Sequence, residues 1–422
     1  RKWRVSYSKG LNIVRISINK TILLISLVLL SISLALCNTV YINYTLKRKI
    51  EVLAIIMSAI YLVKCAKFKS TKIKKITLLF VIALLFFAWG MVYFTHINVG
   101  LIIKDDSTVT ALLDAGVICS YFLLITRSVS MNHFLFAKKY IVFILGSFVV
   151  INDIMLYMIP EMAKLFGGIW WTSYFVGTKF DVGYLHLFFI ATLFSTFFQG
   201  KKHNICKNTL LIVLLILSIY SSFFVDCNTG MISAVLFFIL VLSIKKKYTV
   251  FIKPQVFCSI LIASLLFVIG YSVILNSSIV KFLVQDIFNR DLSLTGRTAI
   301  YKLLRSAMAG NIWTGYGYGI NYTISQTIFN YDNTQNGLME WILQIGIIGT
   351  VLLIIFLYVI FYIVKKSKPS NSIVPILSFI YVLTIIAMIE ISLDLFYFMA
   401  IGFLYGIALD EEKIRNTGLL EN

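Results

Sequence analysis

The chain has 422 residues, of which 59% are apolar and 13% charged, with a mean hydropathy of +0.91. A soluble domain of this length does not carry so much apolar surface, so the solvent this chain is built for is a bilayer. The formal net charge of +20 would suit nucleic acid in a soluble protein, but here it is divided among short loops between apolar runs. There it orients helices and meets anionic lipid head groups, and nucleic-acid binding is not expected.

Apolar runs of membrane length begin near Thr21, Ile50, Ile76, Thr108, Tyr140, Val182, Asn208, Gly230, Gln255, Leu338, Ser372 and Leu395. They predict an all-α membrane protein with about twelve transmembrane helices. The basic stretch before Thr21 is too polar for a cleavable leader, which predicts insertion by an uncleaved helix. The segments Lys64 to Lys75, Arg127 to Lys139, Lys201 to Lys207, Lys245 to Lys253 and Lys365 to Lys368 contain basic residues and no Asp or Glu. By the positive-inside rule these segments and both termini are cytoplasmic, and the Ile-, Lys- and Asn-rich composition points to an AT-rich bacterial genome, hence to a bacterial cytoplasmic membrane as the expected location. The expected layout is one integral domain: helices one to nine over 1–275, an extracytoplasmic loop over 276–337, helices ten to twelve over 338–409, and a tail over 410–422.

Asp114, Asp153, Asp181, Asp226, Glu340, Glu390 and Asp394 fall within or at the edge of helices, in the half facing away from the cytoplasm. Acids sit more freely on that side, which accounts for those at helix edges. Asp114 and Asp153 lie several residues into their helices, where a bare charge is costly, so each should face a wet cavity or a polar partner. The six cysteines and four histidines are scattered singly, without metal-ligand or redox spacing, and no metal or other cofactor is expected.

Most connections are short. The exception is the outer loop from about Asn276 to Gly337, and long loops are usually functional. In it, Leu294-Thr295-Gly296-Arg297 leads into Thr298 to Ala309, whose Ile300, Leu303, Leu304, Ala307 and Met308 repeat at helical spacing before a stop at Gly310. This predicts an amphipathic surface helix with Arg297 on its first turn, Lys302 and Arg305 further along, and Arg290 just upstream. Clustered guanidinium groups pair with oxyanions, and beside a membrane the available phosphate belongs to a lipid, either a bound carrier or a head group that merely anchors the loop. Next come Gly315-Tyr316-Gly317-Tyr318-Gly319, glycines that permit close backbone approach and tyrosines with flat faces for sugar rings. Asp332-Asn333-Thr334-Gln335-Asn336 then crowds the mouth of the tenth helix, ahead of Glu340 and Gly346-Ile347-Ile348-Gly349.

With these residues in this order the chain resembles the O-antigen polymerase and O-antigen ligase superfamily. The resemblance rests on Thr295-Gly296-Arg297, the Gly315 to Gly319 stretch, Gln335-Asn336-Gly337-Leu338-Met339-Glu340 where relatives carry H-N-x-x-L-E, and Gly346 to Gly349. It covers the late loop well and the first half as helix topology. It implies a GT-C-like polymerase or ligase architecture with short helices in one large extracytoplasmic loop. Two positions depart from the pattern. Gln335 stands where the family has a histidine, and Asn228 in Cys227-Asn228-Thr229-Gly230 stands where a second arginine is common. Both disfavour a ligase.

The implied activity is polymerisation of lipid-linked repeat units of a capsule or O-antigen polysaccharide. Donor and acceptor are both oligosaccharides on polyprenyl diphosphate, with membrane lipids and the flippase and chain-length regulator of the same pathway as neighbours. The competing functions are a ligase and a lipid-linked oligosaccharide flippase. Charge grows on the departing diphosphate, so pre-placed cations lower the barrier. The catalytic set implied is Arg297, Asp332, Gln335 and Glu340, with Arg290, Arg305, Lys302, Lys179, Tyr316 and Tyr318 binding substrate or diphosphate and Asp226, Asn228 and Asn336 as further candidates. Asp332 and Glu340, with Asp226 more distant, are the carboxylates able to take the acceptor's proton; the alternative for each is a structural partnership with the arginines.

Overall fold

A computed structural model describes residues 18–36, 39, 41–65, 107–163, 165–168, 171–198, 205–282, 285, 297–318, 320–331, 333–367 and 370–416. The expected third span near Ile76, and the candidates Arg290 and Asp332, lie outside the described residues, as does the side chain of Arg305. The long helices are α1 (Ile18–Ala35), α2 (Tyr44–Lys64), α3 (Ser107–Ser130) and α4 (Phe134–Met158). After a short α5 (Pro160–Ala163) comes an antiparallel hairpin of β1 (Leu165–Gly168) and β2 (Trp171–Ser173), pairing Leu165 with Ser173. This hairpin is a small departure from the all-α expectation. Then follow α6 (Lys179–Phe197), α7 (Ile205–Phe224), α8 (Asn228–Lys246), the short α9 (Tyr248–Phe251), α10 (Pro254–Asn276) and the short α11 (Ser278–Lys281). The late part contains α12 (Arg297–Met308), α13 (Ile320–Phe329), α14 (Gly337–Lys366), α15 (Ile373–Ile386) and α16 (Leu395–Asn416).

Eleven of the expected runs therefore appear as helices in the expected order, and the protein is a multi-pass membrane protein. The count of twelve spans is not established. Among the described residues eight helices are long and apolar enough to cross a bilayer: α1, α3, α4, α6, α7, α8, α10 and α14. The others fall short for visible reasons. Helix α2 begins with Lys47, Arg48, Lys49 and Glu51, α16 ends with Asp410, Glu411, Glu412 and Lys413, and α15 is only 14 residues long.

Helix α6 lies at the centre, packed against α4, α7, α8 and α15. Its contact with α8 is close because two glycines meet: a Cβ on Gly183 would lie 3.1 Å from the Gly230 Cα. Helix α3 packs on α2 and α16, and α14 on α10 and α16. The chain direction of α16 separates two ends of the bundle. Near its C-terminus Lys138 meets Asp410 at 3.7 Å, and Lys413 binds the Val129 and Ser130 carbonyls. Near its N-terminus lie the acids and the loop helix described next. Of the two acids expected to face a wet cavity or a polar partner, one has the partner and the other the cavity. Asp153 is 3.1 Å from the His186 Nε2, with Ser221 beside both, and Asp114 faces a cavity.

Candidate functional site

The site begins with a helix that is too short. At about 1.5 Å per residue, 14-residue α15 reaches about 21 Å, less than the roughly 30 Å of a hydrocarbon core. The segment 387–394 therefore unwinds inside the bundle, where non-helical backbone is tolerated only if the protein itself supplies its hydrogen bonds. It does so from the late loop and α14. The Ala387 carbonyl accepts from the Gly337 N–H (2.9 Å), Met388 from the Asn336 side-chain amide (3.0 Å), Ile389 from the Arg297 Nε (2.7 Å) and Leu393 from the Trp341 Nε1 (3.0 Å).

Arg297 is the first residue of α12 and lies on its inward face with Tyr301 and Leu304, one and two turns on. Besides Ile389, its guanidinium holds the Glu390 carboxylate at 2.8 Å. A carboxylate buried as Glu390 is can stay charged only with such a partner. Tyr301 donates to the Gln335 carbonyl at 3.1 Å. Burial raises its phenol above the ordinary value, against the pull of Arg297, so it remains a neutral donor. The helix runs as expected from the sequence, with one correction. Leu303, assigned to the apolar face, is 41% exposed, and Tyr301 takes the buried place instead. Lys302 is exposed on the opposite side.

The glycine-rich stretch does something the sequence reading did not anticipate. Helix α14 is broken at Gly346, whose φ of 66° and ψ of −178° are not helical. In an unbroken helix the carbonyls of Leu343 and Gln344 would take the N–H groups of Ile347 and Ile348. Instead, Tyr316 N–H goes to Leu343 (2.9 Å), Gly317 N–H to Gln344 (2.8 Å), Ile347 N–H to Ile312 (2.9 Å) and Ile348 N–H to Trp313 (3.2 Å). Residues 312–317 are inserted into the helix, replacing its two lost rungs. Gly315, with φ +72°, approaches so closely that a Cβ would lie 2.5 Å from the Gln344 carbonyl oxygen. The close approach these glycines permit is to the chain's own backbone. Tyr316 packs beside α12 and donates to the Ala307 carbonyl at 2.8 Å; Tyr318 faces the cavity.

The other candidates fall into place around this insertion. Asn336 caps α14 by accepting from the Met339 N–H, and its amide ties Ser264 to Met388. Glu340 is buried and accepts from the Thr334 N–H (3.0 Å) and hydroxyl (2.9 Å). Gln335 has a positive φ of 52° and its amide donates to Asn333. Among the described residues Arg297 pairs with Glu390, rather than with a carboxylate beside the Gln335 motif. Lys179 starts α6 and reaches the Asp226 carbonyl at 3.3 Å, with Asn228 two residues beyond it at the start of α8. The structure therefore gathers the ends of α6, α8, α12, α14 and α16 with the unwound segment at one end of the bundle. Residues 210–354 match the Wzy_C family model, O-Antigen ligase.

That match runs from α7 to the second half of α14 and includes Arg297, the inserted glycine stretch, Asn336 and Glu340. It is consistent with the O-antigen ligase and polymerase superfamily, and it supports a membrane glycosyltransferase activity of the ligase or polymerase kind. No curated protein and no solved structure matches the chain. Two residues of the site, Ile389 and Glu390, lie beyond the family match. The sequence signal for them was a cluster of polar groups, Glu390, Ser392 and Asp394, interrupting an apolar run that otherwise reads as one long helix.

Proposed function

We propose that the protein is a polysaccharide polymerase that transfers a growing glycan from polyprenyl diphosphate to the next lipid-linked repeat unit, on the outer face of a bacterial cytoplasmic membrane. The observation that supports this best is Arg297. Its guanidinium is held by Glu390 and the Ile389 carbonyl at the end of the bundle opposite the Lys138 and Lys413 contacts, next to a cavity lined by carboxylates and aromatic rings. A guanidinium fixed in advance stabilises the charge that builds on a departing diphosphate without reorganising during the reaction. Lys302 on the exposed face of α12, together with Arg290 and Arg305, supplies further positive charge for the lipid phosphates, and Lys179 serves the second lipid. The acceptor's proton passes to Asp332, or to Glu340 if its Thr334 contacts loosen when substrate binds. The substitution of Gln335 for a histidine favours the polymerase over the ligase.

Cells lacking the chain should accumulate lipid-linked single repeat units that a membrane-impermeant oxidant reaches from outside. Repeats trapped on the inside would identify a flippase instead. Full-length glycan left on its carrier would identify a ligase.

A further inference from the structure

Between α3, α14, α16 and the unwound segment lies a cavity of about 170 Å³. Three carboxylates line it, and two of them are satisfied by the protein. Glu340 takes the N–H and hydroxyl of Thr334, and Asp394 takes the Phe396 N–H at 3.0 Å at the start of α16. Asp114 differs. It is 3% exposed, and its Oδ2 has no hydrogen-bond partner among the described residues. The Tyr318 hydroxyl attends the same carboxyl and Lys47 on α2 acts on it electrostatically, while also making a 3.7 Å contact with Glu51. A buried carboxylate oxygen with no donor costs free energy until a donor arrives.

Aromatic rings form another part of the lining. Trp341 stacks on Phe398 with centroids 6.1 Å apart at 27°, and its indole N–H is fixed on the Leu393 carbonyl. An occupant of this space must donate hydrogen bonds at one edge and present an apolar face at the other. A pyranose ring has that chemistry, and 170 Å³ is of the scale of one ring rather than a chain. We propose that this cavity binds one sugar ring of the acceptor oligosaccharide, with the Asp114 Oδ2 accepting from a hydroxyl or ammonium substituent. The inference rests on the transfer reading above and names the place of its acceptor. Leu393 and Asp394 form the wall of the cavity, while Ile389 and Glu390 hold Arg297, so one unwound segment would align the acceptor sugar with the leaving group.

The test uses the full chain in lipid nanodiscs, titrated with a methyl hexoside, a methyl hexosaminide and a methyl N-acetylhexosaminide while tryptophan fluorescence is read. Saturable change is expected for at least one glycoside, and which one separates a hydroxyl from an ammonium donor. The response should be absent in Trp341→Phe and weakened about tenfold or more in Asp114→Asn, the size of one charge-assisted hydrogen bond. Leu395→Phe, which fills the cavity and leaves every carboxylate in place, should abolish binding and serves if Asp114→Asn does not fold. No saturable change in the wild type, or wild-type binding by either Asp114→Asn or Leu395→Phe, overturns the proposal. Because binding is read without any reaction, its failure is separable from failure of the transfer reading, which is judged by polymer formation in Arg297 variants.

Discussion

Replacing Arg297 with alanine should abolish polymer and leave lipid-linked single repeats in the membrane, a loss of at least about a hundredfold in transfer rate if the guanidinium stabilises the departing diphosphate. The same change also strands a buried Glu390, and breaking a buried pair from one side costs about 3–5 kcal/mol of stability. The two effects can be separated. In Arg297→Ala/Glu390→Gln the abandoned charge is gone, so most of the melting temperature should return while polymer stays absent. Arg297→Lys keeps a charge but loses the planar fork that spans Ile389 and Glu390, so it should fall between. Surface polysaccharide on gels, with purified-protein melting curves alongside, reads both. Normal chain lengths from the double variant would reduce Arg297 to a structural tie between α12 and the unwound segment.

Gly346→Ala should be among the most damaging substitutions for folding. Its φ of 66° with ψ of −178° lies in a region that only glycine occupies at ease, and a Cβ there would run into the Trp313 carbonyl. Strain of this kind costs about 1–3 kcal/mol by itself. The collision also prises residues 312–317 out of α14 and exposes the four backbone groups they satisfy. Membrane abundance of the variant should fall severalfold, because a few kcal/mol shifts the fraction of chains open to proteolysis. Gly270→Ala on α10 is the matched control. Its Cβ would meet only the Ile274 side chain at 3.7 Å, and alanine is the better helix former by about 1 kcal/mol. Equal abundance of the two variants would contradict the inserted-loop account of the break.

The physical character of these two positions explains what the sequence could and could not reveal. Hydropathy places long helices well because every backbone group in lipid must be paired within its own segment, so runs such as those from Thr108 or Gly230 could hardly be anything else. Arg297 and α12 were legible because a helical repeat of apolar residues followed it, although the repeat assigned Leu303 inward where Tyr301 lies. The end of α15 was not legible. Its run continues in apolar residues past Ile386, and the unwinding at 387–394 depends on donors from Arg297, Asn336, Gly337 and Trp341, far away in the chain. The ion pair with Glu390 spans 93 residues, and nothing local distinguishes that acid from Glu340 or Asp332 as a partner. The break at Gly346 was hidden in the same way, since Gly-Ile-Ile-Gly reads as an ordinary apolar helix until another strand of backbone is known to enter it.

The most direct measurement is binding of a polyprenyl diphosphate to the purified full chain, followed by native mass spectrometry with the wild type beside Arg297→Ala/Glu390→Gln. If the guanidinium grips the leaving group, the wild type retains the lipid diphosphate and the double variant loses about tenfold or more of the affinity, the worth of one bidentate charged contact. Equal retention by the two proteins would contradict the account at its centre.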